Sequence, residues 1–176
     1  LGIIIVPISL NFTRNELEKI IKIIKPKSII SNWKNSNKIN DLTYPILNIE
    51  EFPSLARSCQ NYKIQDKISS NDDIAAIIMT SGTTGIPKAA QISYKNIESS
   101  CHNWNNFLKF NNGDEFLCCL PLHHIGGLSV LFRALMYNFC INISKSFNSN
   151  EIYQILSNNQ VTIISLVPTM LQKIIS

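Results

Sequence analysis

Residues 72–90 read DDIAAIIMTSGTTGIPKAA. The apolar run IAAIIM has the length of a strand buried on both faces, and it breaks abruptly into a turn of hydroxyl residues, two glycines and one lysine. Beyond the turn, Ser93 is placed to cap a helix that carries Ile97, Cys101, Trp104 and Leu108 on one side. The alternation then repeats, with FLCCLPL as strand, LSVLFRALM as helix, CINIS as strand, EIYQILS as helix and VTIISLV as strand. Upstream, GIIIVPI reads as a buried strand. Thr13 with Glu16 three residues later forms a capping-box pattern, Leu17, Ile20, Ile21 and Ile24 make a helical apolar face, and Pro26 stops that helix before the strand SII. Residues 31–73 are Asn- and Ser-rich, read mostly as loops, and hold only a short apolar stretch at PILNI. Such alternation predicts an α/β fold of layered, mostly parallel sheets flanked by helices.

Composition narrows the function. The chain has 176 residues, 45% of them hydrophobic and 16% charged, with a formal net charge of +4. That is enough apolar material for a core. The lysines are scattered instead of forming a basic stripe, so no electrostatic footprint for nucleic acid is visible. No apolar run approaches the roughly 18–20 residues of a membrane span. The five cysteines form no CxxC pair, and neighbouring Cys118 and Cys119 should point to opposite faces of a strand, which disfavours a disulfide framework or a zinc site and fits a reducing compartment.

The turn TSGTTGIPK is built to meet an anion. Glycines let backbone N–H groups approach closely, and a lysine adds a point charge. A P-loop requires glycine before the lysine and Ser or Thr after it; here Pro87 precedes Lys88 and Ala89 follows, so a backbone donor and a magnesium ligand are both missing. The dinucleotide pattern GxGxxG fails as well, because only Gly82 and Gly85 are present. What remains are the hydroxyls of Thr80, Ser81, Thr83 and Thr84. For an arbitrary turn of this composition, helix capping is the commoner role.

The order TSGTTGxPK resembles the signature loop of the adenylate-forming (AMP-binding) superfamily, which includes acyl- and aryl-CoA ligases, luciferases and peptide-synthetase adenylation domains. The resemblance implies that Thr80, Ser81, Gly82, Thr83, Thr84, Gly85 and Lys88 hold the β- and γ-phosphates of ATP while a carboxylate attacks the α-phosphate. That family usually has glycine after the lysine, where this chain has Ala89.

PLHHIGGLSVLFRAL is the second informative stretch. Adjacent histidines on an extended chain point opposite ways and only His102 could join them, so a metal site is disfavoured. On spacing alone, a structural hydrogen bond is the commoner role for a histidine near a helix start. The resemblance implies more for His124: aligned on Pro121 and Leu122, it takes the position of a residue that orients the bound carboxylate. The longer match, HIGGLSVLFRAL with ISLVPTML, looks like the o-succinylbenzoate–CoA ligases of menaquinone and phylloquinone synthesis, which also tend to have alanine after the loop lysine.

The resemblance implies ATP and Mg²⁺, coenzyme A as co-substrate and an aryl carboxylic acid such as 2-succinylbenzoate. It also implies that residues 1–176 are part of a large N-terminal domain, with both ends truncated and the C-terminal lysine-bearing domain absent. An acid–CoA ligase acting through an acyl-adenylate is the leading expectation. A ligase for a fatty or another aromatic acid, a non-catalytic nucleotide-binding module and a generic α/β domain remain as alternatives. The Ile-, Asn- and Lys-rich composition fits an AT-rich coding sequence, hence a plastid stroma or a bacterial cytoplasm.

Overall fold

The computed structural model describes residues 2–32, 35, 39, 42–54, 70–80, 88–157 and 160–175. The chain divides into two compact units, one of Leu1–Ile3, Ile8–Ser69 and Thr80–Ala89, the other of Ile4–Pro7, Ser70–Met79 and Ala90–Ser176.

In the first unit, helix α1 (Arg14–Ile24) begins where the sequence says it should. The Thr13 hydroxyl accepts from the Glu16 N–H, and the Glu16 carboxylate accepts from the Thr13 N–H at 2.8 Å, closing a capping box. Ile20, on the apolar face, is 1% exposed. The helix ends with Lys25 in the left-handed region, its N–H donating to the Ile21 carbonyl, and Pro26 follows. Strand β1 (Ile29–Ser31) pairs in parallel with β2 (Ile46–Asn48), Ile30 opposite Leu47. The expected strand SII is therefore present, and the short apolar stretch PILNI, read within a mostly loop region, supplies its partner strand.

In the second unit, β3 (Ile74–Thr80) pairs with β4 (Lys88–Ser93), although Thr80, Lys88 and Ala89 group with the first unit. Ala75, Ala76, Ile78 and Met79 are buried, as expected for a strand covered on both faces. Strand β4 escaped the sequence reading because KAAQIS carries almost no apolar alternation; backbone pairing alone makes it a strand. The segment GIIIVPI departs from expectation. Only Ile5 forms a bridge, parallel to Ala76, and Ile3, Ile4 and Ile5 are exposed. The run is only partly covered: Val6, Pro7 and Ile8 are half-buried, while the residues before them are not.

Helix α2 (Tyr94–Leu108) starts at Ser93, whose hydroxyl accepts from the Asn96 N–H in a second capping box. Strand β5 (Glu115–Cys118) is central, flanked in parallel by β6 (Cys140–Ile143) and β7 (Ile163–Ile164). One face of β5 sends Phe116 and Cys118 into a cluster with Val130 and Ala134 of helix α3 (Ile125–Tyr137) and with Phe139. The other face sends Leu117, followed by Cys119, into a cluster with Ile152 of helix α4 (Ser149–Ser157) and Ile174 of helix α5 (Pro168–Ile175). The period of two between neighbouring residues thus separates the adjacent cysteines, as predicted. Each fully buried side chain of this kind contributes about 1.5–3 kcal/mol of apolar burial. The α/β layered, mostly parallel architecture holds.

Candidate functional site

Thr80 ends β3 and Lys88 opens β4, so these two residues mark the rim of the hydroxyl-rich turn. The Thr80 hydroxyl donates to the Lys88 carbonyl across 3.4 Å, tying the two ends of the turn together. Both residues are exposed, which leaves the Lys88 ammonium facing solvent where an anion could approach. Ser81, Gly82, Thr83, Thr84 and Gly85 lie outside the described residues. His124 belongs to the second unit and Thr80 and Lys88 to the first, and each has its geometry within its own unit.

His124 is the N-cap of α3, with φ −108° and ψ 149° and no side-chain capping bond. Its backbone is pinned: its N–H donates to the Pro121 carbonyl at 3.1 Å, and its carbonyl accepts from the Gly127 and Leu128 N–H groups. This tight turn brings the His123 and His124 rings to a centroid separation of 4.4 Å, against the expectation that they point opposite ways. The reason is local: residues 121–124 are a turn, so strand alternation does not apply. Burial and the neighbouring His124 hold the His123 imidazole below its usual pKa and favour its neutral form. Among the described residues no cluster of three His, Cys, Asp or Glu side chains exists.

Gly127 is required by close approach. A Cβ there would lie 2.5 Å from the Pro121 carbonyl oxygen and 2.6 Å from that of Leu120. The start of α3 therefore sits directly on the turn that carries the histidines.

Beside this turn, α2 and α3 border a half-open pocket of about 140 Å³, with Ile92, Ile97, Ile125 and Phe132 as apolar wall and Asn96, Ser100, Cys101 and Ser129 as its polar and small groups. The Ser129 hydroxyl donates to the Gly126 carbonyl. The apolar α3 run reads as core from its sequence, which carries no signal for a pocket there or for the burial of Arg133, 5% exposed within that helix. Its guanidinium stacks over the Trp104 ring at 4.6 Å, its Nε has no hydrogen-bond partner among the described residues, and burial lowers its pKa.

The 2-succinylbenzoate–CoA ligase of Staphylococcus aureus (strain MSSA476) is 43% identical over 100 residues, 57% of this chain and 20% of that protein. Among solved structures, the o-succinylbenzoate CoA synthetase MenE of Bacillus subtilis in complex with ATP and magnesium aligns with TM-score 0.78 at 21% identity, over 96% of this chain and 45% of that one. The same enzyme with the acyl-adenylate OSB-AMP aligns with TM-score 0.77 at 23% identity, over 96% of this chain and 43% of that one. These two likenesses concern the fold. The match thus spans about a fifth of the length of the curated relative and under half of the solved ones. The model of the AMP-binding enzyme family matches residues 1–176, and the chain belongs to that family.

Proposed function

We propose that residues 1–176 are part of the N-terminal domain of an ATP-dependent acid–CoA ligase that converts 2-succinylbenzoate, ATP and coenzyme A to 2-succinylbenzoyl-CoA, AMP and diphosphate. The observation that carries this reading is the 43% identity over 100 residues to a 2-succinylbenzoate–CoA ligase. The solved relatives hold ATP with magnesium and an acyl-adenylate on the same fold, which supports the two-step chemistry.

In the first step the acid's carboxylate attacks the α-phosphate of ATP and diphosphate departs. A carboxylate approaching a polyanion is repelled, so held charge and fixed geometry matter more than proton transfer. Lys88 supplies a positive charge to the β- and γ-phosphates, and Thr80, Ser81, Thr83 and Thr84 donate hydroxyl hydrogen bonds to them, with Gly82 and Gly85 shaping the turn. The exposure of Thr80 and Lys88 at the rim of that turn fits this task. Mg²⁺ bound to ATP would offset phosphate charge there. His124, held by the Pro121 turn, orients the carboxylate. The half-open pocket bordered by α2 and α3, about 140 Å³ and mostly apolar in its lining, is near the size of an apolar cavity of about 150 Å³ that holds benzene. It suits the aryl part of the acid. In the second step the coenzyme A thiol displaces AMP.

The test is pyrophosphate–ATP exchange on the full-length protein, comparing 2-succinylbenzoate with benzoate and a medium-chain fatty acid. Exchange driven only by 2-succinylbenzoate is the expected result. Exchange driven by another acid keeps the ligase and discards this substrate, and exchange with none turns the reading toward a non-catalytic nucleotide-binding module.

A further inference from the structure

The turn that leads into the central strand β5 carries a reactive dipeptide. Asn112 and Gly113 form the only Asn–Gly pair among these 176 residues; every other asparagine is followed by a residue with a side chain. Asn112 is exposed, and its side chain makes no hydrogen bond with a described residue. Around it the turn is firmly held. The Asp114 N–H donates to the Asn111 carbonyl at 3.1 Å, and the Asp114 carboxylate accepts from the Asn111 N–H at 2.9 Å and from its Nδ2 at 3.0 Å. The Gly113 N–H is occupied as well, donating to Asn111 Oδ1 at 2.9 Å. The other Asp114 oxygen accepts from the Thr162 hydroxyl at 2.8 Å, and the Glu115 N–H donates to that same hydroxyl at 3.1 Å, which straps the turn to the start of β7.

We propose that Asn112 is a site of spontaneous deamidation, and that Asn111 guards it by holding the Gly113 N–H. The Gly113 nitrogen loses its proton to hydroxide and attacks Cγ of Asn112. The new C–N bond forms as the Cγ–Nδ2 bond breaks, and Nδ2 leaves as ammonia with a proton taken from water. Water then opens the cyclic imide, at Cγ to give aspartate or at the Asn112 backbone carbonyl carbon to give isoaspartate. Gly113 favours the attack, because no Cβ shields its nitrogen and its backbone is free to reach the ring-closing geometry. The guard opposes it, because a hydrogen-bonded N–H gives up its proton only when that bond opens. The product sets a new carboxylate near Asp114, and isoaspartate also adds a methylene to the backbone, so the Asn111–Asp114 closure and the Thr162 strap both loosen.

The experiment incubates the full-length protein in mildly alkaline buffer, folded and in urea, and follows each asparagine by peptide mass spectrometry as amide becomes acid. Asn112 should react fastest of the asparagines in residues 1–176 of the folded protein, and faster still in urea. In the folded state Asn111→Ala should speed the reaction about fivefold, the worth of one net hydrogen bond. Asn111→Ser, whose hydroxyl accepts from the same N–H more weakly, should recover part of the protection. In urea the three proteins should react alike. Another asparagine reacting first in the folded protein, or no product at Asn112, overturns the site. A folded Asn111→Ala protein that reacts no faster, that is accelerated equally in urea, or that is accelerated at its other asparagines as well, overturns the guard. The deamidated fraction, separated by its added negative charge, should unfold at lower urea, and an unchanged midpoint overturns the loosening.

Discussion

Lys88 opens β4 with its side chain in solvent, and its proposed work belongs to the first half-reaction alone. Lys88→Ala in the full-length enzyme should slow adenylation by about a hundredfold, the usual effect of removing one transition-state donor. Thioester formation from a preformed adenylate should stay nearly unchanged; equal loss in both steps, measured separately, would remove Lys88 from the phosphate site. Gly127 tests the histidine turn. Alanine is the better helix former by about 1 kcal/mol, but here its Cβ meets two carbonyl oxygens closer than 3 Å. Clash wins, and Gly127→Ala should destabilise by about 1–3 kcal/mol in urea unfolding. His123 sets a pH dependence. Its pKa is lowered in the folded state, so between the folded and unfolded values the unfolded chain binds more protons and stability rises with pH. Stability should therefore fall on acidification through the ordinary histidine value of 6.5 and level off below the folded value. His123→Gln should flatten that part of a urea-midpoint profile, and an unchanged slope would show that His123 does not set it.

At the level of elements, both capped helices were legible because capping is local. Thr13 with Glu16, and Ser93 with its own neighbours, are satisfied within three residues. The C-termini were less legible. Lys25, Lys109 and Asn138 each take a left-handed conformation that sequence would assign to glycine. Lys109, at φ 52° and ψ 53° after α2, pays a steric cost for its Cβ. Lys109→Gly should accordingly stabilise the chain by up to about 1 kcal/mol, read as a rise in the urea midpoint. Strand β4 was illegible for the opposite reason: its residues are ordinary, and only a partner strand makes them extended. The run GIIIVPI misled because apolar content marks what could be buried, while burial itself needs a covering layer.

For the whole molecule, the match reaches only 43–45% of the solved relatives' chains. On the proposed function, the isolated 176-residue chain should release no acid-dependent pyrophosphate, and robust release would show that these residues hold a complete adenylation site. Two layered clusters on opposite faces of β5 follow from the alternation Phe116, Leu117, Cys118, Cys119, which a one-dimensional pattern records directly. The α/β class and the capped helix starts were likewise determined by sequence alone, because periodicity and capping act between near neighbours. Tertiary structure alone decided the rest. The close approach of the His123 and His124 rings, the clash that requires Gly127, the pocket bordered by α2 and α3, and the stacking of Arg133 on Trp104 all depend on distances between residues far apart in the chain or on the sense of a single turn. Packing sets those distances, and no local pattern encodes them.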